Sequence, residues 1–247
     1  MSRPVVEFWF EFASTYSYLS VMRIERAAQA AGVEVAWKPF LLGPVFLALG
    51  WNDSPFNIYP PKGRYMWRDL ERLAAREGLP FRRPTRFPRN GLLAARVALV
   101  GVEDGWVAPF ARAVMTANFA EDREIGEPAV IEDILTALSL PAGEVLARAQ
   151  ADANKLALRS QTERAAELGL FGAPSFRVGD ELFWGNDRLD DALAWARRPR
   201  SPSRTSAASS TSTSSTPKAK ASSCAACRSA ASPWPTAAPP RSPPCST

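Results

Sequence analysis

A serine standing between a strand and a helix is the first place where this chain could do chemistry. Val5-Val6-Glu7-Phe8-Trp9-Phe10-Glu11-Phe12 is an apolar run of strand-forming residues. It breaks at Ala13-Ser14-Thr15 and gives way to apolar residues at helical spacing: Leu19, Met22, Ile24, Ala27, Ala28 and Ala31. Ser14 therefore sits at a helix N-terminus. Unpaired backbone N–H groups and the positive end of the helix dipole favour an anion there, such as a thiolate. The same position suits a plain helix cap, in which the hydroxyl accepts from the first turn. The residues alone leave both roles open.

The rest of the composition narrows the chemistry. The chain has no histidine, and its three cysteines, Cys224, Cys227 and Cys245, all lie beyond Pro199. Ser-His-Asp hydrolysis, HExxH zinc chemistry and imidazole base catalysis are therefore excluded, and residues 1–198 hold no cysteine nucleophile. Cys224-Ala-Ala-Cys227 has the spacing of a redox pair, but not the strand-to-helix junction such a pair needs. Of the 30 basic residues, six follow Pro199 without one acidic residue, which leaves 24 basic against 25 acidic in the body. The overall charge of +5 thus gives no reason to expect nucleic acid as a partner. No apolar stretch is long enough for a membrane span and no signal-like segment opens the chain, so a soluble cytoplasmic protein without a metal is expected.

A second candidate is Pro174, at the entrance of the apolar run Phe171 to Val178. Proline is kept out of strand interiors, so it belongs at an edge or beside a site. It reads as an ordinary turn residue, or as a cis proline that leaves the Ala173 backbone open to an extended ligand.

Around these two points the elements run in a definite order. Residues 33–40 alternate as a second strand, a loop rich in Gly, Pro, Asn and Asp follows, and helical patterns then dominate (66–78, 90–103, 106–121, 129–138, 142–151, 155–168). Phe171 to Val178 and Glu181 to Trp184 read as a hairpin about Gly179-Asp180. Asp187 to Arg197 reads as a closing helix, capped by Asn186 or Asp187. The order βαβ, helices, ββα is the plan of an α/β thioredoxin-like fold, with a mixed sheet and an all-helical insertion. We expect a thioredoxin-like domain from residues 1–40 and 170–198, a helical insertion from 41–169, and a disordered low-complexity tail from 199–247. The abrupt change at Pro199 suits a dispensable extension or an out-of-frame gene end.

Three segments together carry a family resemblance: Phe8 to Leu19, Phe171-Gly172-Ala173-Pro174-Ser175, and Gly179 to Leu189. With Ser54 to Asn57 and Lys62 to Met66, they resemble the 2-hydroxychromene-2-carboxylate isomerases, relatives of the kappa-class glutathione transferases. The resemblance implies glutathione as cofactor and Ser14 as the catalytic serine that donates to its sulfur. It implies that Ala173, before Pro174, binds the cysteinyl part, and that Trp184, Gly185, Asn186 and Asp187 hold the γ-glutamyl end. Asn57 and Lys62 match the loop lining the active site, and Phe87 an aromatic substrate contact. Phe46 stands where a naphthalene-pathway member has a substrate-binding lysine, and Thr15 where a proline usually follows the serine. The implied partners are glutathione and a small-molecule substrate, and the resemblance leaves a homodimer open. The implied activity is isomerisation of an aromatic-catabolic intermediate. A kappa-like transferase and a non-catalytic thioredoxin-like binding module stand as alternatives.

Overall fold

The structure, a computed structural model, describes residues 3–198, so the Cys224–Cys227 pair and the tail from Pro199 lie outside the described residues. β1 (Val5–Phe10) leads into α1 (Thr15–Ala31), and β2 (Glu34–Pro39) pairs parallel to β1. Gly32 ends α1 in the left-handed region (φ 68°), a conformation that suits glycine, and its N–H bonds the carbonyls of Ala28 and Gln29. Helices α2 (Leu42–Ala48), α3 (Pro55–Ile58), α4 (Pro60–Glu77), α5 (Leu92–Asp104) and α6 (Val107–Phe119) come next. They are followed by α7 (Pro128–Ala137), α8 (Ala142–Gln150) and α9 (Asp152–Glu167). The hairpin β3 (Ser175–Val178) and β4 (Glu181–Trp184), a 3-10 turn (Asn186–Arg188) and α10 (Leu189–Ala196) close the described chain.

The sheet order is β2-β1-β3-β4, with β1–β2 parallel and the β1–β3 and β3–β4 pairs antiparallel. This is the mixed sheet of the thioredoxin-like plan. Both of its faces are covered. Phe8 stacks on Phe10 and Phe176 at 5.1 and 5.4 Å and meets the edge of Trp37 at 5.2 Å, while Trp9 on the other face packs on Phe40 at 5.9 Å. A strand buried on both sides has little polar face to show, so β1 reads as an apolar run interrupted only by Glu7. Phe8, Phe10 and Phe176 are fully buried, each contributing roughly 1.5–3 kcal/mol by leaving water. Residues of α5 and α6 such as Val97, Phe110 and Met115 belong to the same core, so the helices and the sheet share one interior.

The structure corrects four boundaries. The expected loop after β2 holds two short helices, α2 and α3. α4 starts at Pro60 rather than Met66, because Pro60 and Pro61 occupy the first helical positions, where a missing N–H costs nothing. β3 starts at Ser175 rather than Phe171: the Gly172 carbonyl accepts from Ser175 Oγ (2.9 Å) and the Ala173 carbonyl from Ser14 Oγ, so these residues make no strand ladder. The closing helix starts at Leu189, and neither Asn186 nor Asp187 caps it with a side chain.

Candidate active site

The antiparallel register sets Trp9 opposite Ser175, so the residues after β1 lie beside those before β3. That brings Ser14 onto Ala173 across 159 positions of sequence, and Ser14 Oγ donates to the Ala173 carbonyl at 2.8 Å. The same oxygen accepts from the Ser17 N–H at 3.3 Å, so Ser14 is also the N-cap of α1. The two roles that the residues left open coexist in one side chain. Thr15, in the place of the usual proline, is buried and donates to Met66 Sδ on α4 at 3.2 Å, which anchors the turn.

The Ala173–Pro174 bond is cis. Pro174 presents its carbonyl to the Gly185 N–H at 2.9 Å, tying the segment before β3 to the one after β4, while the Ala173 N–H has no partner among the described residues. The half-exposed Trp184 indole meets Phe171 edge-on at 4.9 Å and lies over Gly172, where any side chain would collide with its Nε1. Gly185 has φ 109° and ψ 150°, a backbone only glycine adopts easily. Asn186 is buried: its Oδ1 accepts from Ser20 Oγ (2.9 Å) and Arg23 Nε (3.3 Å), and its carbonyl from Arg23 (2.8 Å). Its side chain thus fastens this segment to α1. Asp187 is exposed and pairs with Arg188 at 3.2 Å.

These residues line one cleft of about 1160 Å³. Ser14, Ala173 and Trp184 to Asp187 form one side, and Phe46, Lys62 and Phe87 lie on its walls. Phe46 packs on Trp51 (5.6 Å) and Phe87 meets the edge of Trp67 (4.9 Å). The Lys62 ammonium lies 5.7 Å from the centre of the Phe56 ring and has no carboxylate partner among the described residues. Pro174 is buried and Asn57 is exposed, and neither lines the cleft. Asn57 Nδ2 donates to the Asp53 carboxylate (3.1 and 3.2 Å) and the Phe87 carbonyl (3.2 Å), bracing the wall rather than facing the cleft.

Sequence reasoning missed several residues. Arg89 is almost fully buried and joins Asn118 O and Oδ1 (both 3.1 Å) to Asp122, while Asn118 Nδ2 reaches the Phe12 carbonyl at 3.0 Å. This network links the turn that carries Ser14 to the segment that carries Phe87, and it holds the Asp122 carboxyl down at about 2 through hydrogen bonds from Thr85 and Arg89. Tyr16, two residues into α1, donates to Asp69 at 3.0 Å; burial and that carboxylate push its phenol well up. Glu11 also lines the cleft, and burial lifts its carboxyl to about 8 despite hydrogen bonds from the Ala13 and Ser14 backbone. Its place three residues before Ser14 was visible; its burial was not. Among the described residues no group of His, Cys, Asp and Glu is arranged to hold a metal, and no helix is long and apolar enough to cross a membrane.

The sequence profile of the DSBA-like thioredoxin domain matches residues 5–194. The chain belongs to the DSBA-like thioredoxin family. Within it, the chain is 31% identical over 195 residues to a 2-hydroxychromene-2-carboxylate isomerase of Pseudomonas putida, covering 75% of this chain and 90% of that one. The solved structure of a 2-hydroxychromene-2-carboxylate isomerase superposes with a TM-score of 0.68 at 27% identity, covering 77% of this chain and 93% of the other. A kappa glutathione S-transferase of Caenorhabditis elegans is 26% identical over 222 residues, covering 82% and 96%. These relatives of the DSBA-like chain are enzymes, and it is an enzyme of the same family. It departs from thiol–disulfide chemistry at the helix start, where Ser14 stands and where residues 1–198 offer no cysteine.

Proposed function

We propose that this DSBA-like enzyme is a glutathione-dependent isomerase acting on 2-hydroxychromene-2-carboxylate or a similar intermediate of aromatic catabolism. The observation that carries this reading is the Ser14–Ala173 pair: a hydroxyl at the start of α1, 2.8 Å from a carbonyl whose residue keeps its own N–H unpaired. An extended cysteinyl peptide fits that backbone, with its sulfur beside the hydroxyl. The cleft also has room. Ordinary small-molecule sites run to roughly 300–1000 Å³, and about 1160 Å³ suits a tripeptide and a second molecule.

In this reading Ser14 holds the sulfur, Ala173 with Pro174 behind it holds the cysteinyl backbone, and Trp184, Gly185 and Asp187 hold the γ-glutamyl end. Asn186 keeps that segment on α1. When bound, glutathione supplies a thiolate that adds to a conjugated double bond, permits rotation about the resulting single bond and leaves again. Ser14 turns its hydroxyl from the Ala173 carbonyl to the anion, a charge-assisted hydrogen bond contributing about 1.5–3 kcal/mol. The N-terminus of α1 adds about 0.3–1 kcal/mol. Phe46 and Phe87 offer apolar faces to a flat substrate, Lys62 an unpaired cation to a carboxylate, and Asn57 braces Phe87. The partners are then glutathione and a small-molecule substrate, in a cytoplasmic protein that forms a homodimer, with residues 41–169 as the insertion that walls the cleft.

Calorimetric titration with glutathione, followed by an absorbance assay on 2-hydroxychromene-2-carboxylate, tests the reading. Binding and an isomer formed without glutathione consumption support it, and the absence of binding overturns it. The similarity to a kappa transferase favours a second reading, conjugation of electrophiles, which a stable glutathione adduct among the products would establish.

A further inference from the structure

Beside the start of α1 lies a carboxyl that the reading above does not use. Glu11 Oε2 accepts from the Ala13 N–H at 2.9 Å, and the Glu11 carbonyl accepts from the Ser14 N–H at 3.1 Å, so the residue is fastened to the turn that presents Ser14. It is 8% exposed, and what exposure it has opens on the cleft. The Gly91 backbone approaches Oε1 so closely that a Cβ there would come within 2.9 Å of it and 3.2 Å of Phe12 Cβ. Gly91 has an ordinary φ of −90°, so it is this close approach, rather than an unusual backbone, that a side chain would spoil.

No lysine or arginine pairs with Glu11 among the described residues. The groups around it are those of its own turn, Ser17 of α1, whose Oγ accepts from the Glu11 N–H at 3.5 Å, and Gly91 on the segment leading into α5. Arg89, on that segment, is bound to Asn118, Asp122 and Glu124. Elsewhere on the cleft, Tyr16 is bonded to Asp69 and Lys62 lies over Phe56. A carboxylate here would have the Ala13 N–H and the N-terminus of α1 to support it, and an anion held by Ser14 would draw on the same helix end.

We propose that Glu11 and the anion site at Ser14 share one negative charge: Glu11 stays neutral while a thiolate is held there, and its ionisation raises the thiol pKa and releases the ligand. The proposal rests on the glutathione reading. The balance is a single proton. When Glu11 loses it to solvent, the neighbouring sulfur retains or regains one. The buried carboxyl, lifted to about 8, places this exchange just above neutral pH. Glu11 is thus a positioning residue for charge, acting through the α1 N-terminus.

The test is glutathione affinity by calorimetry and thiolate absorbance of the complex, from pH 6 to 9.5, for the wild type and Glu11→Gln. In the wild type, affinity should fall about ten- to a hundredfold above pH 8, the equivalent of raising the thiol pKa by about one to two units. In Glu11→Gln it should hold, with the thiolate forming in one step at lower pH. Infrared carboxyl difference spectra of the unliganded wild type give an independent reading, since they need no variant to fold. A buried carboxyl titrating near 8 supports the proposal, and one titrating near 4.5 overturns it. Equal pH dependence of binding in both proteins also overturns it, leaving the glutathione reading intact. No glutathione binding to the wild type at any pH overturns both.

Discussion

Glu11→Gln also makes a prediction about stability that needs no ligand. The folded-state carboxyl sits near 8, against 4.5 in the unfolded chain, because burial disfavours its charge more than the Ala13 and Ser14 N–H groups favour it. Between those values the folded protein binds a proton that the unfolded chain has released. Stability therefore falls as pH rises from about 4.5 to 8, and is constant in this respect outside that window. A difference of 3.5 units at about 1.36 kcal/mol each sets a ceiling of about 5 kcal/mol by pH 8. Glutamine keeps an acceptor for the Ala13 N–H and does not titrate. Melting temperatures of the two proteins should be close at pH 5 and diverge up to pH 8, the variant becoming the more stable. At roughly 2–4 °C per kcal/mol for a chain of this size, that ceiling corresponds to a divergence of at most about 10–20 °C. Parallel melting profiles across the window would show that Glu11 titrates as an ordinary carboxyl, and would refute the argument from burial.

Three further outcomes follow from the site. Arg23→Ala frees the Asn186 segment from α1 by removing bonds to its carbonyl and Oδ1; glutathione affinity should drop about tenfold while the bound-thiol pKa stays put, the loss of one to two such bonds at about 1 kcal/mol each. Gly185→Ala forces a residue with a Cβ into φ 109°, within 2.5 Å of Asp187 Oδ1, and should cost about 1–3 kcal/mol in chemical unfolding. Arg89→Met leaves Asp122 without its buried cationic partner and the Phe12 and Phe87 segments uncoupled, so melting temperature and substrate KM should change together; a changed KM with an unaltered melting temperature would contradict the bracing role.

Much of this was legible in the sequence because it rests on local pattern. The apolar run of β1, the serine after it and the proline before β3 mark the two segments, but the strand order and the antiparallel β1–β3 register that bring Ser14 to Ala173 are set by long-range pairing. The helix starting at Pro60 was hidden because Pro-Pro-Lys-Gly has the composition of a turn, and only the packing of Gly63 on the Phe56 carbonyl shows why glycine is needed inside α4. The role of Asn186 was hidden for a different reason. Ser20 and Arg23, which claim its side chain, lie more than 160 positions away and carry no mark of it. Glu11 and Arg89 look like surface charges in the sequence, and the burial that defines them comes from the loop before α5, whose path no periodicity encodes.

The central claim is that Ser14 stabilises a thiolate bound at the start of α1. It is tested most directly by ultraviolet titration of the glutathione complex, wild type against Ser14→Ala. Loss of one charge-assisted hydrogen bond, about 1.5–3 kcal/mol, should raise the bound-thiol pKa by about one to two units and shift the pH profile of the rate upward with it. Loss of the cap to Ser17 should lower stability by about 1 kcal/mol in the same variant. If stability falls but the thiolate titrates identically in both proteins, Ser14 is a cap alone and the catalytic assignment is wrong.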